Sequence, residues 1–543
     1  MAFIGNQIIT LNSLLDLDGQ ELVLDADADT TIHVSTDDQI DFKVAGSDKL
    51  VISSTSHLVT TTAGTNNFVL GLNAGNSIQS GGVQNVALGD EAGTAITTGD
   101  NNICIGYQAG DAISTGDNNI AIGKNALGAE DGHDFNIAIG SNALASQDAG
   151  TDAYNIAIGH NAGTSVTTGT QNTLIGGLSG DAITDADGNV AVGYASLTTN
   201  VLGSDSVAIG KNALNAQNPG SALAMNNVAV GKNAGESITT GVNSILIGAQ
   251  AGDALTDADF NVAMGFQALT NDTLGSRSTA IGHHALQTQN FSSATDSNNT
   301  AVGFQAGKET TTGSGNTLIG SGAGDAITTG INSTIIGFLA GSGVSTGTNN
   351  TMVGQGAGTA ATGSYNNFFG AGNGTAAGLS MTSGSKNTIL GGYSGNQGGL
   401  DIRTSDSFIV LSDGDGNPRL HYDSAKQNWD LQNGVGIATI KTNLTSISAN
   451  TATTILDASS LGGNNSERGF YLLTSVREGA SVGTHLSALV AVSSSSTVVV
   501  YETLRASSGT SLAASGATFR LTTGSNVSMH TSLIPIGIHG GSS

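Results

Sequence analysis

From Asn67 to Gly391 the chain repeats one short phrase: a polar amide, three mostly apolar residues, then glycine. Asn102-Ile103-Cys104-Ile105-Gly106, Asn119-Ile120-Ala121-Ile122-Gly123, Asn136-Ile137-Ala138-Ile139-Gly140 and Asn155-Ile156-Ala157-Ile158-Gly159 are successive copies. With the glycine as marker there are nineteen copies, from Gly71 to Gly391, mostly 17 residues apart. Four residues before the marker stands Asn in fifteen copies and Ser in four (Ser206, Ser244, Ser278, Ser333). Short apolar runs rich in Ile and Val and punctuated by glycine read as strands rather than helices. Fixed-period self-similarity over such strands predicts an all-β chain whose centre is a parallel β-solenoid.

Stacked coils place equivalent residues about 4.8 Å apart, so each column becomes a ladder. Stacked Asn side chains are expected to bond amide to amide and to close the backbone of each turn, as in cross-β structures. The strand is apolar on both faces, Ile alternating with Ala or Cys104. One face fills the inside of a narrow coil and the other needs cover. Another copy of the chain is the economical cover, which predicts a homotrimer. The alternative is a broader monomeric solenoid that buries both faces.

A longer period overlies the first. Gly210 to Gly282 and Gly282 to Gly354 each span 72 residues, four coils. The block of four therefore reads as the unit of duplication. Its long step carries the polar excursions 145–153, 215–225 and 287–297, expected to project as loops.

Composition sharpens this picture only at the ends. Gly is 79 of 543 residues, Pro 3 and aromatics 4%, which suits turn-rich β structure. A net charge of −26 disfavours nucleic acid and anionic membrane. The single cysteine excludes an internal disulfide. No secretion signal and no long apolar run is visible, so the expectation is a chain made in a cytoplasm without membrane insertion.

Residues 1–60 are an acidic segment of short alternating strands, read as a base that fixes the shaft, 61–399, to something else. Asp25, Asp27 and Asp29 lack the Gly and Glu of a calcium loop and read as a solvated turn. Residues 400–440 read as a cap or neck, with Asp413-Gly414 as a hairpin turn and Trp429 closing the apolar end. Residues 441–543 carry longer alternating runs, predicting an antiparallel sandwich or jelly-roll-like domain. This last segment has five Lys/Arg against four Asp/Glu. Arg468, Arg477, Arg505 and Arg520 are its candidate receptor-binding residues, although local pairing with Glu467, Glu478 and Glu502 explains them as well.

The Asn-x-Ala-Ile-Gly phrase with Ala three residues on resembles the head repeats of trimeric autotransporter adhesins, which implies a trimeric parallel β-roll. The layout as a whole resembles tail fibres and related host-attachment proteins of tailed bacteriophages. That resemblance implies a cytoplasmically made trimer in the virion tail. It also implies a tail or baseplate partner at the N-terminus and a host cell-surface receptor, polysaccharide or protein, at the C-terminus.

Catalytic chemistry is sparse. Paired carboxylates such as Asp181, Asp185 and Asp187, or Asp253, Asp257 and Asp259, would suit sugar cleavage, but they recur at turns coil after coil. His283-His284 is too close for a metal clamp on one strand face, and the glycine-rich 320–324 stretch lacks the lysine of a phosphate loop. No enzyme, cofactor or metal is expected. Thr-Thr-Gly turns such as Thr167-Thr168 leave an ice-binding ladder as one alternative, and a depolymerase tailspike or a surface adhesin as others.

Overall fold

The computed structural model describes residues 22–33, 39–45, 47–52, 58–60, 63–372, 374–426, 428–431 and 435–437. Beyond these it gives the course of the strands 443–447, 452–457, 469–477, 485–494, 497–505, 511–515, 518–522 and 527–537. Every regular element among the described residues is a β-strand. The chain divides into two compact units, residues 1–298 and 299–543. The repeats form a parallel β-solenoid of about 20 turns.

The first unit opens with an antiparallel meander. Leu22–Val23, Thr31–His33, Ile40–Val44, Ser47–Ile52 and Leu58–Thr60 pair in sequence order. The acidic turn in its first hairpin is a local cap, because Asp25 Oδ1 accepts the N–H groups of Asp29 and Thr30, both at 3.2 Å.

The solenoid strands follow, three residues per coil and in parallel register. Val86 pairs with Ile103, Ile103 with Ile120, Ile120 with Ile137 and Ile137 with Ile156. The central residue of each strand points inward and the two Ile or Val point outward. Ala87, Cys104, Ala121, Ala138 and Ala157 are all fully buried. Small residues belong inside because the space within a coil is already filled by the returning segment. Ala109 and Ile113 of one coil, or Ala126 and Leu127 of the next, are also fully buried.

The asparagine column holds successive coils together by closing backbone turns, as expected, but where an amide-to-amide ladder was also expected the side chains bond backbone instead. Asn102 Oδ1 accepts the N–H of Asn119 at 2.9 Å, while its Nδ2 donates to the carbonyl of Gly116 at 2.7 Å. Asn119 does the same for Asn136 N–H (2.9 Å) and His133 O (2.9 Å), and Asn155 for Asn172 N–H (2.8 Å) and Gly169 O (2.7 Å). Each of these amides therefore spans the two ends of a four-residue turn in the following coil, such as 116–119, whereas Asn136 reaches the next coil only through its Oδ1, on Asn155 N–H at 3.2 Å. Turns often lack their own closing bond, and a buried N–H and C=O must find partners. Backbone groups outcompete the neighbouring amide for this reason. Amide-to-amide contacts occur elsewhere, at the coil edge, where Asn125 donates to Asn142 (3.3 Å) and Asn142 to Asn161 (3.0 Å).

The marker glycine has two separate reasons to be glycine. At Gly123 φ is +131°, and an added Cβ would sit 2.5 Å from the carbonyl oxygen of Gly140 in the next coil. Neither the torsion nor the approach admits a side chain. The turns around it are left-handed too, including Leu127 at φ +53° and Leu144 at +49°, both fully buried.

In the second unit the coils repeat this plan from Thr300–Val302 to Ile409–Ser412, the last pairing in parallel with Thr388–Leu390. The chain then turns antiparallel through Pro418–Asp423, Asn428–Leu431 and Val435–Ile437. Asp413 caps the first of these turns by accepting the N–H of Asn417 at 2.9 Å. Trp429 is half-buried and lies against Tyr422, ring centroids 5.3 Å apart. Two antiparallel sheets come last. One is five-stranded and includes Gly469–Arg477, His485–Ser494 and Thr497–Arg505, and the other is three-stranded and includes Ser511–Ser515 and Thr518–Thr522.

Replacing Asn102 by Ala strands one buried N–H and one buried carbonyl, a loss of about 2–6 kcal/mol at 1–3 kcal/mol per orphaned group. Asn102→Ser keeps the acceptor, as Ser244 does for Asn261 N–H at 3.2 Å. The expected order of thermal midpoints is wild type above Asn102→Ser above Asn102→Ala, read by calorimetry.

Candidate functional site

The most extended candidate for interaction is the outer face of the parallel strands. In the first unit two columns run side by side, from Phe68 and Leu70 to Thr279 and Ile281, without one charged residue. Ile158, Ile209, Ile245, Met264 and Ile281 are between 36% and 41% exposed. Soluble proteins seldom leave so long an apolar band facing water. In the second unit one of the two columns becomes hydroxyl-bearing (Thr300, Thr317, Thr334, Thr351, Thr388), while the other stays apolar through Ile319, Ile336 and Leu390.

Beside the ribbon, the residues just after the marker glycines make a second surface column. Tyr107, Tyr194, Phe266, Phe304 and Phe338 are exposed. They pack along the coil edge: Lys211 Nζ stands 5.8 Å from the Tyr194 ring centroid, and His283 lies 5.3 Å from Phe266. Phe135 and Tyr154 stack at 5.3 Å with rings 4° from parallel, both at positive φ in a column that Asn otherwise favours.

Inside the first unit are three polar nodes that the repeat phrase does not announce. Four residues after the marker, a coil carries either Gly or Leu. With Gly, an apolar residue three positions later fills the interior, as Gly93 with Ile96 and Gly110 with Ile113. With Leu, that later position is polar yet fully buried: Glu130, Gln147, Asn200, Gln217, Asp272 and Gln289. These come in pairs from adjacent coils, the second member of each pair lying in one of the long excursions. Gln147 Nε2 donates to Glu130 at 2.9 Å and Gln289 Nε2 to Asp272 at 2.6 Å. Gln217 Oε1 accepts from Asn227 Nδ2 at 3.1 Å. The nodes thus satisfy the backbone and asparagines where a lengthened step interrupts the regular stack. Covariation between the Leu and polar columns was visible in the sequence and was the signal that would have found them.

The paired carboxylates serve as bonds between coils. Asp185 accepts the hydroxyls of Thr167 (2.8 Å) and Thr168 (2.7 Å), which hold its pKa below the usual value. Asp187 accepts the N–H of Thr170 at 2.7 Å, and Asp259 that of Val242 at 2.8 Å. Asp181 differs: half-buried, it has its pKa raised by burial, against hydrogen bonds from its own backbone and Thr198. Asp111, Asp253 and Asp325, at equivalent places, are shifted upward for the same first reason. Burial likewise pushes the Cys104 thiol up to about 12, so it stays protonated and unreactive.

Of the site residues read from the sequence, Asn102, Asn119, Asn136 and Asn155 are the inter-coil bridges, and Gly106, Gly123, Gly140 and Gly159 the close approaches between coils. Arg468 lies outside the described residues. Arg477 pairs with His485 and Arg505 with Ser487, so the backbone brings these two to one end of the five-stranded sheet. Arg520 sits in the other sheet, paired with Thr454 and Ala513. Among the described residues no helix is long and apolar enough to cross a membrane.

A carboxyl whose folded pKa is raised destabilises the fold above that pKa and ceases to do so below its unfolded value. Asp181→Asn is therefore expected to raise the thermal midpoint at pH 7. The gain should shrink as pH falls through the raised pKa and vanish near pH 3, as calorimetry across pH would show. No protein-family model matches the chain, and no curated protein or solved structure does either.

Proposed function

We propose that this chain is a structural protomer of a homotrimeric attachment fibre of a tailed bacteriophage. In this reading three shafts of 17-residue coils clasp along their outer ribbons and hold a receptor-binding end away from the virion. The observation that carries the reading is the uncharged ribbon present in every coil of the first unit. A standard interface takes roughly 800 Å² from each partner, and the ribbon runs through every coil of the first unit with side chains such as Ile158, Ile209 and Met264 more than a third exposed. Interlocked copies would remove that surface from water, where each Å² of apolar area contributes about 25 cal/mol.

The N-terminal segment, 1–60, would join a tail or baseplate protein. Recognition of a host polysaccharide or protein would fall to 441–543, whose antiparallel sheets carry Arg477, Arg505 and Arg520, with Arg468 close by in sequence. The shaft would act by spacing and stiffness, without a catalytic step or cofactor. The made protein would remain in the host cytoplasm until assembly into the tail.

The full chain should sediment at three times its 53.8 kDa mass. The double variant Ile122→Asp, Ile139→Asp should shift it to lower order, since a charge would enter a desolvated seam. A monodisperse wild-type monomer would sink the proposal. Labelled protein should bind cells of a susceptible host without releasing reducing sugar from their polysaccharide, whereas release would favour a depolymerase.

A further inference from the structure

The first polar node differs from its two counterparts in a way that points to a metal ion. The nodes align through the asparagine bridges. Asn119 donates to the carbonyl of His133, Asn189 to that of Gly203 and Asn261 to that of Gly275. His133 thus stands where the other two nodes have glycine. In the same frame Glu130 corresponds to Asn200 and Asp272, Asp131 to Val201 and Thr273, and Asp148 to Asn218 and Asn290. Four ligating side chains converge at the first node alone.

Their geometry is close to a coordination shell. One ligand atom from each of Glu130, Asp131, His133 and Asp148 lies within 4.8 Å of every other. Donors held about 2.1 Å from an ion stand roughly 3.4 Å apart in a tetrahedron. Asp131 and Asp148 are exposed and free to swing, so rotation of their side chains closes the difference. Glu130 is fully buried, and its Oε1 accepts both the N–H of His133 (3.0 Å) and a bond with His133 Nδ1 (2.7 Å).

Charge makes the stronger argument. At the third node the buried carboxylate of Asp272 is met by the backbone N–H groups of Gly275 (3.0 Å) and Phe291 (3.3 Å) and by Gln289. No further carboxylate gathers there. At the first node Gln147 likewise donates to Glu130, but three carboxylates surround one imidazole, and among the described residues Glu130 ion-pairs with His133. Even a charged imidazole leaves the group two net negative charges, which a bound divalent cation would offset.

We propose that Asp131, His133 and Asp148 bind one divalent cation, with the buried Glu130 holding the imidazole in place. A mixed imidazole and carboxylate set suits zinc, whereas calcium takes oxygen donors. Glu130 meets the imidazole from within the coil, the carboxylate–histidine arrangement that orients metal-bound imidazoles. Because Asp148 belongs to the excursion 145–153, the ion would pin that loop to the turn 130–133.

The test uses the full chain, stripped by chelator and titrated with zinc alone by calorimetry, beside His133→Gly and Asp148→Asn. Both substitutions install residues that the equivalent coils already carry, at Gly203 and Asn218, so the coil has a precedent for folding with them. One zinc per chain is expected for the wild type. Each variant should bind at least about tenfold more weakly, the scale of loss seen even for outer partners of metal ligands. Zinc should also raise the thermal midpoint of the wild type and leave that of the variants unmoved. Absence of zinc uptake, equal uptake by the variants, or calcium binding indifferent to His133→Gly would each overturn the proposal.

Discussion

The buried side-chain amide that reaches from one coil into the turn of the next is the bond on which this architecture rests. Three-residue strands contribute only a few ladder hydrogen bonds per coil, too few to define a register alone. The amide adds a donor and an acceptor whose spacing matches one turn and no other. It also solves the problem any narrow solenoid faces, since corners bury backbone groups that neither strand nor water can reach. Where serine replaces asparagine, half of that service is lost. At Ser206 and Ser278 an interior glutamine, Gln217 or Gln289, bonds the hydroxyl instead.

Glycine completes the constraint by letting coils approach as closely as the amide requires. The Cβ that Gly123 lacks would meet the next coil's carbonyl at 2.5 Å, so the side chain is excluded by the neighbour as much as by its own torsion. Left-handed residues such as Leu127 and Phe135 show that the chain tolerates unfavourable torsions where packing repays them. Inside, volume is conserved by exchange: Gly with Ile, or Leu with a polar residue. That rule keeps the interior full while leaving room for hydrogen-bonding nodes beside the lengthened steps.

Much of this was legible beforehand. The period, the strand and the glycine marker followed from spacing and residue type, because each reflects a local requirement repeated many times. Turn closure by asparagine was legible too, but how each amide divides its bonds between neighbouring amides and backbone was not, since a ladder of identical amides looks the same in sequence either way. The polar nodes were missed for a different reason. Glu130 and Asp272 sit in a column that is apolar in the Gly-bearing coils of the first unit, and their burial goes with the Leu three residues earlier. The Asp-rich turns, by contrast, fold as local caps, as Asp25 and Asp413 do. The ribbon was inferred from two apolar faces, and the structure adds that the central residue of each strand, most often Ala, is the inward one.

One property of the asparagine bridge has a temporal meaning. Every amide serves the coil that follows it in sequence, so a finished coil already presents the docking groups for the segment synthesised next. A chain emerging from the ribosome can accordingly lay down one layer upon another in the order of translation, each layer a template for its successor. The two faces of any coil are chemically unlike, and growth of the stack has a direction written into it.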